Sequence, residues 1–230
     1  MDHFQGCGKE KPIFKYGACQ KCFISWTMET ENGKEWLEKN RLRKFKQNQR
    51  EKTKEKRKKD RQMKIELMST SQYWSNVFQI KFNEVIRIID NGCGCICTRR
   101  TDGKMNAGHY VHAGVNKTIS INAHNAFQQS MESNHYQSGD LLKYQDGIKN
   151  IFGTNYFNFV ESLRKCPALH ISKIELMEAN KKLNEFKKEL KHQEIFQLKS
   201  NERIELRNDL NQYLGLYPYE FMNYEPNKIY

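Results

Sequence analysis

The chain has 230 residues and a formal net charge of +12, from 39 Lys and Arg against 27 Asp and Glu, and only 37% of its residues are hydrophobic. That length holds one medium domain or two small ones around a modest core, and the charge favours a polyanionic partner. No stretch approaches the roughly 18 consecutive apolar residues of a membrane span, and the opening MDHFQGCGKE lacks the basic-then-apolar layout of a secretory signal.

Residues 1–33 form a cysteine-containing, zinc-knuckle-like segment. Gly17 precedes Cys19-Gln-Lys-Cys22, and Cys7 lies twelve residues before Cys19. These three thiols suit a tetrahedral zinc site, with His3 as fourth ligand across His3-x-x-x-Cys7. The alternative is an ordinary turn carrying reduced cysteines. The whole set of seven cysteines is odd in number and clustered, which fits thiols or metal sites better than disulfides and points to a cytoplasmic setting.

Residues 34–70 read as a basic helix or arm. No Pro or Gly interrupts Glu35 to Met68, and residues 41–64 hold thirteen basic side chains against three acids. The thirteen are Arg41, Arg43, Lys44, Lys46, Arg50, Lys52, Lys54, Lys56, Arg57, Lys58, Lys59, Arg61 and Lys64. Most are good helix formers, and Glu55–Lys59 and Asp60–Lys64 are favourable i,i+4 pairs. Apolar side chains are too few for a buried face, so this is a solvated helix or a disordered arm. As a DNA-backbone contact it binds with a steep salt dependence; the alternative is a soluble spacer.

Residues 71–165 are expected to hold the core. Ser71 or Ser75 can cap a helix in which Trp74, Val77, Phe78, Phe82, Val85, Ile86 and Ile89 recur at helical spacing until Asn91-Gly92 stops it. Cys93-Gly-Cys95-Ile-Cys97 follows. Thr101-Asp102-Gly103-Lys104 reads as a hairpin turn that places Met105–Val111 on the return strand, with His109 near its end. A helix after Asn125 would carry Phe127 and Met131 inward, with Tyr136 as a further candidate. Two short helices then run from Leu141 to Ile151 and from Tyr156 to Lys165.

Residues 166–230 are C-terminal helices and a tail. Cys166 reads as a small buried hydrophobe. Ser172-x-x-Glu175 is a capping box opening a helix to about Gln197, with Ile174, Met177, Leu183, Phe186 and Leu190 on its inner side. A last helix near 201–213 precedes a Tyr/Pro/Asn tail expected to be loosely held.

The most specific stretch is Asn106–Gly139, NAGHYVHAGVNKTISINAHNAFQQSMESNHYQSG. It resembles the NinG/Rap family of lambdoid phage recombination proteins, whose pattern runs Asp-Ala-Gly-His-Tyr, Asn-x-x-Asn-x-His, Gln-Cys-x-x-Cys-Asn and Ser-Gly. Ala107, Gly108, His109 and Tyr110 match the first block, and Asn122 and Asn125 match the loop asparagines. Gln129 and Asn134 flank the knuckle, and Ser138-Gly139 closes it. Four positions depart: Asn106 stands for the Asp, Phe127 for the second His, and Ser130 and Ser133 for the cysteine pair.

The resemblance implies an α+β, mostly helical fold with a small HNH-like ββα core. It implies that His109 is the base deprotonating an attacking water and that Asn125 orients it, beside Mg²⁺ or Mn²⁺. Asn106 would ligate that ion without the charge a hard cation favours, and His124 would compensate for Phe127. A structural zinc would rest on Cys93, Cys95 and Cys97, since hydroxyls such as Ser130 and Ser133 do not readily deprotonate.

The leading expectation is a phage-type DNA recombination protein in the cytoplasm of a bacterial host cell. It binds branched DNA such as Holliday junctions, as a homodimer because a junction presents two equivalent strands, and cuts it as a metal-dependent endonuclease. The alternative is a non-catalytic DNA-binding recombination accessory protein on a degenerate HNH scaffold. RNA binding ranks last, for want of any RNA-module motif.

Overall fold

The computed structural model describes residues 19–112, 114–136 and 140–230, so the expected zinc ligands His3 and Cys7 lie outside the described residues. The chain divides into two compact units, one ending at Leu67 and the other running from Met68 to Tyr230.

The described residues of the first unit form α1 (Gln20–Glu29) and α2 (Glu31–Leu67). Thr30 separates them with extended backbone; its hydroxyl accepts from the Gly33 N–H at 3.0 Å and donates to the Trp26 carbonyl at 2.7 Å. It thereby caps α2. A Cβ at Gly33 would lie 2.0 Å from the Trp26 carbonyl oxygen, so the turn between the helices requires glycine. Phe23, Trp26 and Trp36 brace the joint with ring centroids 5.3 to 6.0 Å apart. The basic segment is thus helix, and its 37 residues make a rod roughly 55 Å long.

The second unit begins with one continuous helical run: α3 (Thr70–Tyr73), a π-helical turn (Trp74–Phe78) and α4 (Gln79–Ile89). The cap is Ser69, in a capping box with Gln72, not Ser71 or Ser75. The π turn shifts the helical phase by a residue, so that Tyr73, Trp74 and Phe78 join Phe82, Val85, Ile86 and Ile89 in the core. Val77 is only half-buried.

The sheet has two antiparallel strands, β1 (Met105–His109) and β2 (Ala126–Ser130), with Met105 opposite Ser130 and His109 opposite Ala126. This corrects the hairpin expected at 101–104, because the partner of β1 lies downstream and residues 126–130 are strand rather than helix. The segment before β1 coils instead of pairing. Gly92, Gly94 and Arg99 all take positive φ, and the Cys95 N–H bonds to the Arg100 carbonyl at 2.8 Å. Phe127 is buried as expected, whereas Met131 is exposed.

Helices α5 (Leu141–Phe152), α6 (Thr154–Ser162), α7 (Lys173–His192), α8 (Ser200–Leu214) and α9 (Tyr219–Met222) complete the unit. The Ser172–Glu175 capping box opens α7, but the buried side is Leu176, Ala179, Leu183, Phe186 and Leu190. Ile174 faces outward at 70% exposure. The helix ends at His192, short of Gln197, whose backbone turns to donate to the Asn91 carbonyl at 2.8 Å. The tail is held and not loose. Tyr230 packs on Phe159 and Tyr224 at 4.9 and 5.5 Å, and its N–H donates to Asn155 at 3.2 Å.

A buried ionic centre ties α8 to the sheet. Asp90, at the end of α4, is 1% exposed and accepts from the Gln128 N–H of β2 at 2.8 Å. Arg207 of α8, fully buried, meets both Asp90 oxygens at 2.8 Å, and Arg203 adds a bond at 3.1 Å. The Arg207 guanidinium lies 4.7 Å over the Phe127 ring.

Candidate functional site

The long connection between the strands positions His109. Asn125, wholly buried at its end, accepts from the Val111 N–H at 2.8 Å and donates to the Val111 and Ile119 carbonyls at 3.1 Å. Its own carbonyl accepts from the Tyr110 N–H at 2.9 Å. One amide therefore clips both ends of the loop, as an Asn can with an acceptor and two donors. Asn125 shapes the loop, while the His109 ring is fixed by a different group.

That group is the Ser120 carbonyl, 2.8 Å from His109 Nε2. A carbonyl can only accept, so Nε2 carries a proton and the neutral ring keeps its lone pair on Nδ1. Burial pushes the His109 pKa below its ordinary value, against the Ser120 hydrogen bond and with help from His112. The ring is thus neutral near pH 7, which is the state a general base needs. The Ser120 hydroxyl accepts from Trp74 Nε1 at 3.2 Å, so the π turn anchors the segment that holds His109. Nearby, Tyr110 donates to Glu161, which pairs with Arg164 at 2.6 Å.

The positions expected to hold a divalent ion are arranged otherwise. His124 is fully buried, with Nδ1 2.9 Å from the Tyr156 hydroxyl and Nε2 3.1 Å from the Met222 carbonyl. Both nitrogens are committed, and burial, reinforced by Arg207, holds its pKa down to about 3. Phe127 sits among Tyr144, Phe152 and Tyr156. Asn106 pairs with Gln129, toward the end of the sheet away from His124. A neutral amide, a committed imidazole and a phenyl ring are not a donor set for a hard cation.

The core cysteines separate. Cys93 turns its sulfur toward the Leu198 carbonyl at 3.6 Å. Cys95 and Cys97 hydrogen-bond each other at the start of the Ser130 turn, and the Ser130 N–H donates to Cys95 Sγ at 3.2 Å. The bond from Cys97 outweighs burial and, with donors from Ser130 and Thr98, pulls the Cys95 thiol down to about 4. Gln129 Nε2 donates to Cys97 Sγ at 3.2 Å. Two thiols among hydroxyls fall short of the closed thiolate and imidazole set of a structural zinc. Among the described residues no group of three or more His, Cys, Asp or Glu is placed to hold a metal ion.

At the N-terminal cysteine pair, Cys19 is the cap residue of α1 and Cys22 lies in its first turn. All thirteen basic residues of 41–64 project from α2 into solvent. No helix among the described residues is long and apolar enough to cross a membrane.

Sequence reasoning passed over Ser120, whose backbone carbonyl carries no signal in its residue type. It also passed over Asp90, Arg203 and Arg207. Here a signal existed, because Arg203, Arg207, Leu210 and Leu214 share one face of α8 and all four are buried.

The chain matches the family described as Bacteriophage Lambda NinG protein over residues 5–194, and it belongs to that family. It is therefore a phage-type, recombination-related protein. No curated protein and no solved structure matches it.

Proposed function

We propose that this chain binds branched DNA, such as a four-way junction, in phage recombination, using α2 as its backbone contact and the fold around His109 as its central scaffold. The observation that carries the reading is α2 itself: a long helix, exposed throughout residues 41–64 and holding thirteen cations in those 24 residues, within a family member. A helix of that charge gains from releasing the counterions of a nucleic-acid backbone. The branched substrate, a host-cell cytoplasmic setting and a homodimer come from the resemblance of residues 106–139.

A second reading, metal-dependent cleavage of the junction, is favoured by one observation: His109 is held neutral with Nδ1 as its acceptor. Mg²⁺ or Mn²⁺ would supply charge stabilisation at the leaving oxygen, but Asn106, His124 and Phe127 do not form its ligand set. The positioned base without matching ligands supports binding over cutting.

The test is a labelled four-way junction and a matched linear duplex incubated with the full-length protein in Mg²⁺, Mn²⁺ or EDTA. Junction binding that is indifferent to EDTA, with no nicking, is the expected result. Metal-dependent nicking lost in His109→Ala would establish the second reading instead. Failure to bind either DNA would overturn both.

A further inference from the structure

The thirteen cations of α2 are not equivalent. At about 100° per residue, seven of them fall within roughly 80° of the helix circumference: Arg43, Lys46, Arg50, Lys54, Arg57 and Arg61, with Lys64 closing the row. Their spacing is three or four residues throughout, which stacks side chains on one face. Between Arg43 and Lys64 that sector contains no other residue type, and all seven side chains are exposed. The other six, Arg41, Lys44, Lys52, Lys56, Lys58 and Lys59, are spread around the remaining surface. There they share it with the three acids Glu51, Glu55 and Asp60 and with the apolar Leu42, Phe45 and Met63.

We infer that this uninterrupted row is the nucleic-acid contact face of α2 and that its partner is B-form duplex DNA, met where the helix crosses the major groove. The inference rests on the DNA-binding reading above and specifies its surface. The row rises about 32 Å at 1.5 Å per residue, longer than the major groove is wide, so a straight helix seated there carries its end cations out to the bordering phosphates. An α-helix with its side chains is about 10–12 Å across, which a major groove about 12 Å wide admits. The deep, narrow major groove of duplex RNA does not admit it. Single strands are usually held by aromatic rings interleaved with the cations. This row has none, since Phe45 lies on another face.

A merely cationic rod would behave differently. On such a rod the six remaining cations count as much as the seven, because long-range attraction depends on net charge and not on azimuth. A contact face releases counterions from the phosphates it touches, so only its own residues set the salt slope, by about 0.9 per phosphate.

Two charge-matched variants of the full chain separate these cases. The row variant is Lys46→Gln, Arg50→Gln, Lys54→Gln and Lys64→Gln; the reverse-face variant is Arg41→Gln, Lys44→Gln, Lys52→Gln and Lys59→Gln. Each removes three Lys and one Arg, and Gln keeps helix propensity similar. Anisotropy titrations use a 30-base-pair DNA duplex, the same sequence as RNA duplex, and a four-way junction, from 50 to 300 mM salt. The row variant is expected to lower the salt slope by about 3 to 4, a loss of about a thousand-fold near 0.15 M salt if affinity at 1 M is unchanged. The reverse-face variant is expected to lose less than about ten-fold and to keep its slope within about 1 of the parent.

Equal losses in the two variants, or a greater loss on the reverse face, would overturn the contact row. Equal affinity of the parent for duplex RNA and DNA would overturn the B-form assignment. If the parent binds no DNA even at 50 mM salt, the DNA-binding reading itself falls, a distinct outcome. A third variant with Lys46, Lys54 and Lys64 changed to Arg keeps the charge and is expected to retain parental binding. It guards against loss through altered helicity, which circular dichroism checks directly.

Discussion

Arg207→Met is expected to be among the most damaging single changes in the second unit. Arg207 is wholly buried and donates to both oxygens of Asp90, to the Ala123 carbonyl at 3.2 Å and to the Arg203 carbonyl at 3.1 Å. Met fills much of the same volume but supplies none of these donors. Removing one member of a buried ion pair costs about 3–5 kcal/mol, because the other charge stays buried without full compensation. Asp90 retains Arg203 and the Gln128 N–H, which places the expected loss near the lower end, about 3 to 4 kcal/mol. For a unit of this size that is a fall in Tm of roughly 10 °C. Urea unfolding at pH 7 measures it, with fluorescence recorded in a Trp26→Phe, Trp36→Phe background so that Trp74 alone reports on this unit. The double variant Asp90→Asn, Arg207→Met should be more stable than the sum of the singles by at least about 1.5 kcal/mol. A single-variant loss below about 1 kcal/mol, or strict additivity, would refute the argument that this pair joins α8 to the sheet.

Three further outcomes follow from the same packing. His124 has a folded-state pKa of about 3 against an ordinary 6.5, so the unfolded chain binds its proton more tightly. Stability is therefore complete above about pH 6.5 and falls as the pH drops toward 3, by up to roughly 5 kcal/mol from this one group. His124→Gln keeps an acceptor for Tyr156 and a donor for Met222, and should flatten that acid slope; an unchanged slope in urea titrations at pH 7, 5 and 4 would assign it elsewhere. Asn125→Ala orphans the Val111 N–H and two carbonyls, at a cost of about 3 kcal/mol, and hydrogen exchange should speed up across residues 110–125. Unaltered protection there would mean that the loop is held by other contacts. If His3, Cys7, Cys19 and Cys22 form a zinc knuckle, metal analysis should find about one zinc per chain, lost in Cys22→Ser. A zinc-free parent purified without chelator would end that reading.

How much of this was legible depends on how far apart the interacting residues lie. The Ser172–Glu175 cap is local, and sequence alone located it; for the basic segment, sequence left helix and disordered arm open, and the structure makes it helix. The π turn at Trp74–Phe78 is local too, yet a fixed period of 3.6 cannot express a one-residue shift of phase, so Val77 was placed inward in its stead. The strand Ala126–Ser130 was misread because Phe127 is its only strong β former among Ala, Gln, Gln and Ser. It is strand because Gln128 donates to Asp90 and because its ladder with β1 satisfies the backbone. The hairpin signal at Thr101–Lys104 misled for the complementary reason: the turn residues were present, but the chain before them holds Gly92, Gly94 and Arg99 at positive φ and cannot extend into a strand.

Around His109, residue types marked His109 and Asn125 as candidates but did not give the arrangement, since Asn125 was expected to orient His109 and instead holds Val111 and Ile119. His109 and Asn125 were legible from their motif context, whereas the atom that fixes the His109 ring is a main-chain oxygen. The departures at Asn106, Phe127, Ser130 and Ser133 could be seen as losses; what replaced them could not. Phe127 is covered by a guanidinium from α8, and His124 is bound by a carbonyl from α9, both contributed by residues beyond the 5–194 family match. The partners Asp90 and Arg207 stand 117 positions apart. A single sequence shows each of those charges as an exposed polar residue by default, and only the fold reveals that each makes the other's burial affordable. The same segment that closes the core therefore occupies His124 and Phe127. For that reason, a histidine introduced at position 127 alone would place an imidazole under Arg207 and would not create a cation site.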